Sequence, residues 1–155
     1  MEPLIQRVPI FYVVGISTFG DGGSGLFPKA WEMFMKLEKS LEWKDYDKAF
    51  GVEFYTEEFH QEGKWFYMAC REVADLKSIP VHMVGKVIPE NYYATFTCEG
   101  LSNLKNTFHF AYQEWLPRSN YVSAGCYDFE LYDERFLGAD NPESVIDIYI
   151  PVKKK

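Results

Sequence analysis

Alternating apolar and polar positions mark strands along this chain, and apolar runs at helical spacing mark two helices between them. Tyr12, Val14 and Ile16 line one face of a first strand, and Tyr92, Ala94 and Phe96 repeat that pattern 80 residues later. A glycine-rich loop, Gly20-Asp21-Gly22-Gly23-Ser24-Gly25, then leads into a helix whose apolar stripe is Phe27, Ala30, Trp31, Phe34, Met35 and Leu41. Pro28 suits its first turn. The counterpart stripe is Leu101, Leu104, Phe108, Ala111, Tyr112 and Trp115, and this second helix is expected to stop before Pro117. Further strands are predicted over 49–57, 64–73, 126–134 and 144–151.

The stretch 50–59 reappears 77 residues further on as 127–136, with identities at Glu53/Glu130, Tyr55/Tyr132, Glu57/Glu134 and Phe59/Phe136. The longer glycine loop of the first half absorbs the change of offset from 80 to 77. Duplication predicts an α+β fold of two strand–helix–strand–strand units. Together these would form an eight-stranded, curved antiparallel sheet with two main helices. The whole of 1–155 is expected to be one domain with pseudo-repeats at about 8–73 and 88–152, because either half alone would bury too little apolar surface. Residues 74–90, with Pro80 and Pro89, read as a linker.

Composition narrows the chemistry. A net charge of −7 argues against nucleic acid, which needs a basic stripe, and the one basic cluster is the Lys153-Lys154-Lys155 tail. Aromatic residues make up 18% of the chain, and Tyr and Trp are favoured linings for pockets that take flat ligands. Cys70, Cys98 and Cys126 lack CxxC spacing and read as reduced, mostly buried thiols. His60, His82 and His109 stand alone, so neither metal nor cofactor is expected. The glycine loop lacks GK[ST] and reads as a strand-to-helix turn, not a phosphate cradle. The apolar run near the N-terminus is too short for a leader, and no stretch could span a bilayer, which points to the cytoplasm.

Strand alternation separates Phe50, Val52 and Phe54 from Glu53 and Tyr55, and Tyr127, Phe129 and Leu131 from Glu130 and Tyr132. The apolar sets are expected to form core under the helices. Glu57 and Glu134, near strand ends, read as ordinary solvated acids. Glu53 and Glu130 stand apart, being flanked by aromatics and recurring at symmetric positions, as if facing a shared groove. A carboxylate among rings is costly to desolvate and favours a cationic partner, and the rings themselves attract cations. Two such carboxylates could instead divide acid and base duties. The residue pattern leaves both open.

The second half carries a recognisable signature. Tyr112-Gln113-Glu114-Trp115-Leu116-Pro117-Arg118-Ser119-Asn120-Tyr121, then Tyr127 to Tyr132, then Ile148-Tyr149-Ile150-Pro151-Val152 resembles the GyrI-like small-molecule-binding family, which includes the effector-binding domains of AraC-type and BmrR-type regulators. Ile88-Pro89-Glu90-Asn91-Tyr92-Tyr93-Ala94-Thr95-Phe96, followed by Glu99-Gly100, resembles a further family stretch. The resemblance implies the duplicated fold, with Glu130 as the cation-meeting glutamate and Tyr132 as its motif tyrosine. Glu53, Tyr55, Tyr112, Trp115, Trp65, Tyr67, Tyr93 and Phe19 complete the expected ligand-binding set. No helix-turn-helix segment is present, which lowers the regulator reading. The leading expectation is a binding module for hydrophobic, often cationic or planar compounds. The alternative is a hydrolase of cyclopropane-bearing alkylators using Glu53 and Glu130, and the third reading is a gyrase-inhibitor-like protein partner.

Overall fold

A computed structural model describes all residues, 1–155. Its strands are β1 (Leu4–Val8), β2 (Phe11–Gly20), β3 (Ala49–Phe54), β4 (Trp65–Val73), β5 (Val84–Ile88), β6 (Asn91–Glu99), β7 (Tyr121–Ser123), β8 (Tyr127–Tyr132) and β9 (Val145–Lys154). Helix α1 spans Leu26–Leu37 and a short α2 spans Glu57–Glu62. Helix α3 runs over 101–118 and passes from a 3-10 turn through an α segment into a π-helical stretch, Phe110–Trp115, before a last α turn. The fold class is therefore the α+β one that the duplication predicts. No helix is long and apolar enough to cross a membrane.

The chain divides into two compact units, residues 10–89 and residues 1–9 with 90–155. In the first unit the antiparallel strands lie in the order β5-β2-β4-β3. In the second the order is β1-β6-β9-β8, with β7 also on β9. The two patterns match strand for strand. Residues 74–90, expected to be linker, contain β5, which pairs with β2 from Phe11↔Ile88 to Gly15↔Val84. Each unit thus takes its flanking strand from the segment that precedes the other repeat. A strand of only five residues between prolines has too little periodicity to announce itself.

Each main helix covers one face of its sheet. Ala30 and Phe34 of α1 pack with Val14, Ile16, Ala69 and Val73, and Ala111 of α3 packs with Ala94, Phe96, Ile148 and Ile150. Burying a side chain of Phe34's size stabilises by about 1.5–3 kcal/mol. Glu53 stands opposite Tyr67, and Glu130 opposite Ile148, so both glutamates are on the helix-covered faces. This reverses the expected assignment, in which Phe50, Val52 and Phe54, with Tyr127, Phe129 and Leu131, lay under the helices. Period-two alternation separates two faces but does not say which one a helix will cover. The opposite faces are buried as well, with Val52 fully buried and Phe129 stacked on Tyr149 at 4.6 Å.

The glycine-rich loop is the strand-to-helix turn expected. Gly25, immediately before α1, has φ 76°, a conformation that side chains resist. Gly15 serves a different need. A Cβ there would lie 2.0 Å from the Ala69 carbonyl oxygen and 2.6 Å from Cys70 Cα, so β2 and β4 approach as they do only because the position is bare. Gly15→Ala is expected to lower the unfolding free energy by about 3 kcal/mol in urea titration. Gly23→Ala, whose new methyl would make only ordinary contact, is expected to change it by less than about 0.5 kcal/mol. Equal effects of the two would contradict this account of the β2–β4 approach.

Candidate functional site

Within residues 10–89, Glu53 is 6% exposed and projects beneath α1 from β3. Tyr55, two residues on and therefore on the same face, donates its hydroxyl to Glu53 Oε2 at 3.1 Å. Across the strand pair, Tyr67 accepts a 2.8 Å hydrogen bond from Trp31 Nε1 of α1. Rings close around these groups. Phe27 stacks on Tyr67 at 4.4 Å and meets Trp65 edge-on at 5.3 Å. Phe59 of α2 lies 4.9 Å from Tyr55 and 5.8 Å from Trp65.

The second unit repeats the arrangement with more acid. Glu130 is 2% exposed and accepts the Tyr132 hydroxyl at 2.6 Å, and Tyr132 meets Phe136 at 4.9 Å, the same separation as Tyr55 and Phe59. Asp128, fully buried and on the same face, accepts the Tyr112 hydroxyl of α3 at 2.7 Å. The turn after β8 is pinned by Arg135, which pairs with Asp133 at 2.8 Å and Asp147 at 2.5 Å. Those two carboxylates hold the guanidinium pKa above its usual range. Burial also pushes the Cys98 thiol up, with a smaller contribution from the charge of Glu130.

The chemistry of these faces follows from burial. A carboxylate removed from water is costly unless paired, and a phenol hydroxyl supplies one neutral donor. A buried acid so held retains strong attraction for a cation whose own hydration is weak. Aromatic faces add about 0.5–2 kcal/mol per favourable cation contact.

The predicted residues fall into three groups. Glu53, Tyr55, Trp65 and Tyr67 come together on the α1-covered face, and Glu130 and Tyr132 on the α3-covered face, where Tyr112 is joined through Asp128. Trp115 packs into the core under α3, edge-on to Phe96 at 5.4 Å and parallel to Tyr121 at 6.0 Å. Phe19 and Tyr93 stand on the opposite sheet faces, Phe19 against Phe66 and Tyr93 among Tyr127, Phe129 and Tyr149. Sequence reasoning passed over Asp128, whose signal was its place two residues before Glu130. It also counted Phe27 and Trp31 only as helix core.

Two units of one β-α-β-β pattern make up the GyrI-like fold, and in this chain each carries a buried acid–tyrosine pair. Over residues 4–152 the chain matches Cass2, described as integron-associated effector binding protein, and it belongs to that family. It is 30% identical over 154 residues to the transcriptional regulator BrlR of Pseudomonas aeruginosa, a match that covers 98% of this chain and 56% of the regulator. The chain thus spans about half the length of that relative. The structure of SAV2435 bound to tetraphenylphosphonium has the same fold, with a TM-score of 0.72 at 17% identity, covering 99% of this chain and 94% of that one. An integron cassette protein of Vibrio cholerae is similar at a TM-score of 0.67 and 18% identity, covering 98% and 96%.

Tyr132→Phe is expected to cost about 1–3 kcal/mol of stability at pH 7, because it strips a donor from a buried acid. Tyr55→Phe is expected to cost less, since Glu53 is the more exposed and its bond the longer. Urea denaturation of both variants checks the order, and a harmless Tyr132→Phe would contradict it.

Thiol reactivity gives a second check. Burial raises the Cys70 and Cys98 pKa values, so little thiolate forms at pH 8, whereas Cys126 is exposed. Brief iodoacetamide treatment should give a single adduct at Cys126 by mass spectrometry. Rapid labelling of Cys98 would show that its surroundings are open.

Proposed function

We propose that this protein binds lipophilic organic cations, with aromatic rings taking the flat or ring-bearing body and a buried glutamate the charge. The observation that carries the reading is Glu130, 2% exposed and held by the Tyr132 hydroxyl at 2.6 Å. A hydrated cation such as lysine's ammonium loses too much water to approach such an acid. A diffuse, weakly hydrated cation loses little, so its attraction to the buried charge is nearly all gain. The tetraphenylphosphonium bound by SAV2435 belongs to that chemical class and supports the reading. The acidic chain is taken to act in the cytoplasm, on small molecules and not on nucleic acid.

The tyrosine-held glutamates favour recognition over catalysis. Each has its own phenol donor and its own unit of the fold, an arrangement suited to holding a charge in the ground state. Turnover of a cyclopropane-bearing alkylator would require those acids to exchange protons with a substrate, and product analysis is expected to find none.

Isothermal titration with tetraphenylphosphonium and with a neutral aromatic of similar size tests the reading. Glu130→Gln should weaken the cation about tenfold or more, the loss of one charge-assisted contact. The neutral compound should lose much less. Equal losses for the two would remove the electrostatic role of Glu130.

A further inference from the structure

One polar group on the α1-covered face has nothing to bond. The indole Nε1 of Trp65 is buried and finds no acceptor. Trp31, on the same face, shows the ordinary outcome, since its Nε1 donates to the Tyr67 hydroxyl at 2.8 Å. Trp43 likewise donates to the Glu38 carbonyl at 2.8 Å. Buried donors are bonded in the great majority of cases, and one left unmade keeps the full penalty of its lost hydration. Around Trp65 stand the rings of Phe27, Tyr55 and Phe59, which offer the N–H only weak π contacts.

Of these rings, Phe59 is the one best placed to yield. It rides on α2, which buries none of its six residues and ends at Gly63 in a left-handed conformation, φ 67°. The equivalent ring in the second unit, Phe136, sits in the turn pinned by the Arg135 ion pairs. A ring on an exposed helix beside an unbonded donor in one repeat, against a ring in an ion-paired turn in the other, is an asymmetry that packing alone does not call for.

We propose that the Trp65 N–H is a specificity-determining donor of a subsite in the 10–89 unit, taking ligands that carry a neutral acceptor, a carbonyl oxygen, on their aromatic cationic body. Phe59 withdraws with α2, the ligand's ring takes its place against Tyr55 and Trp65, and the carbonyl accepts the indole hydrogen bond. At this subsite Glu53, on the same sheet face as Tyr67 and two residues before Tyr55, is the acid that meets the charge, as Glu130 does in the other unit. This inference rests on the cation-binding reading above and adds the acceptor to the ligand's chemistry.

The test compares tetraphenylphosphonium with (4-acetylphenyl)triphenylphosphonium, which differ only by one ketone. Wild type should bind the acetyl compound about fivefold to tenfold tighter, the effect of satisfying one buried donor. Replacing Trp65 with 3-benzothienylalanine, which keeps the ring's shape but has no N–H, should bring that ratio to about one. In wild-type protein labelled with ¹⁵N, the Trp65 indole proton should move downfield with the acetyl compound and not with tetraphenylphosphonium. That signal decides the matter even where the substituted protein does not fold. Equal affinities in wild type, an unmoved indole proton, or a ratio that survives the benzothienyl replacement would each overturn the donor role and leave cation binding intact. Failure of both phosphonium ions to bind would overturn the cation reading itself, and this inference with it.

Discussion

A glutamate buried under a helix and held by the tyrosine two residues further along the chain is the contact on which the rest of this structure turns. Strand geometry makes it possible, because positions i and i+2 share a face and a phenol is long enough to curl back to the carboxylate. The bond recurs, from Tyr55 to Glu53 at 3.1 Å and from Tyr132 to Glu130 at 2.6 Å. Each pair is backed by a phenylalanine four residues beyond the tyrosine, at a ring separation of 4.9 Å in both repeats. An acid in that setting is costly to the fold, and both units carry one.

The repeats have diverged around this shared element. In the second, Asp128 stands where the first has Gly51, and Tyr112 reaches down from α3 to bond it. The π-helical stretch that contains Tyr112 widens α3, as such stretches often do near functional groups. In the first, the glycine loop and α2 surround Trp65, and the acid count on the face is lower. The helix-covered face of the second unit thus carries Asp128 beside Glu130, whereas that of the first sets its glutamate among Phe27, Trp65 and Tyr67.

Much of this was legible in the sequence, for reasons that particular residues make plain. The 77-residue offset carried Glu53 and Tyr55 onto Glu130 and Tyr132 because duplication preserves type, order and spacing together. The faces were misassigned because both sides of these strands are apolar enough to bury, Val52 and Phe129 no less than Ala69 and Ile148. Strand β5 hid in an apparent linker because Val84 and Val87 point outward and only Ile88 is fully buried. Trp65's unbonded nitrogen has no sequence signature, since a donor's partner is a matter of coordinates alone.

The central claim is that a buried glutamate meets the cation, and a crystal structure of the protein with tetraphenylphosphonium tests it most directly. The phosphonium is predicted to lie on a helix-covered face, within about 6 Å of aromatic ring centroids, the range over which rings attract cations. The carboxylate of Glu130 or Glu53 should be its nearest formal charge. A cation found on the opposite sheet faces, beside Phe19 or Tyr93 and remote from both glutamates, would contradict the account.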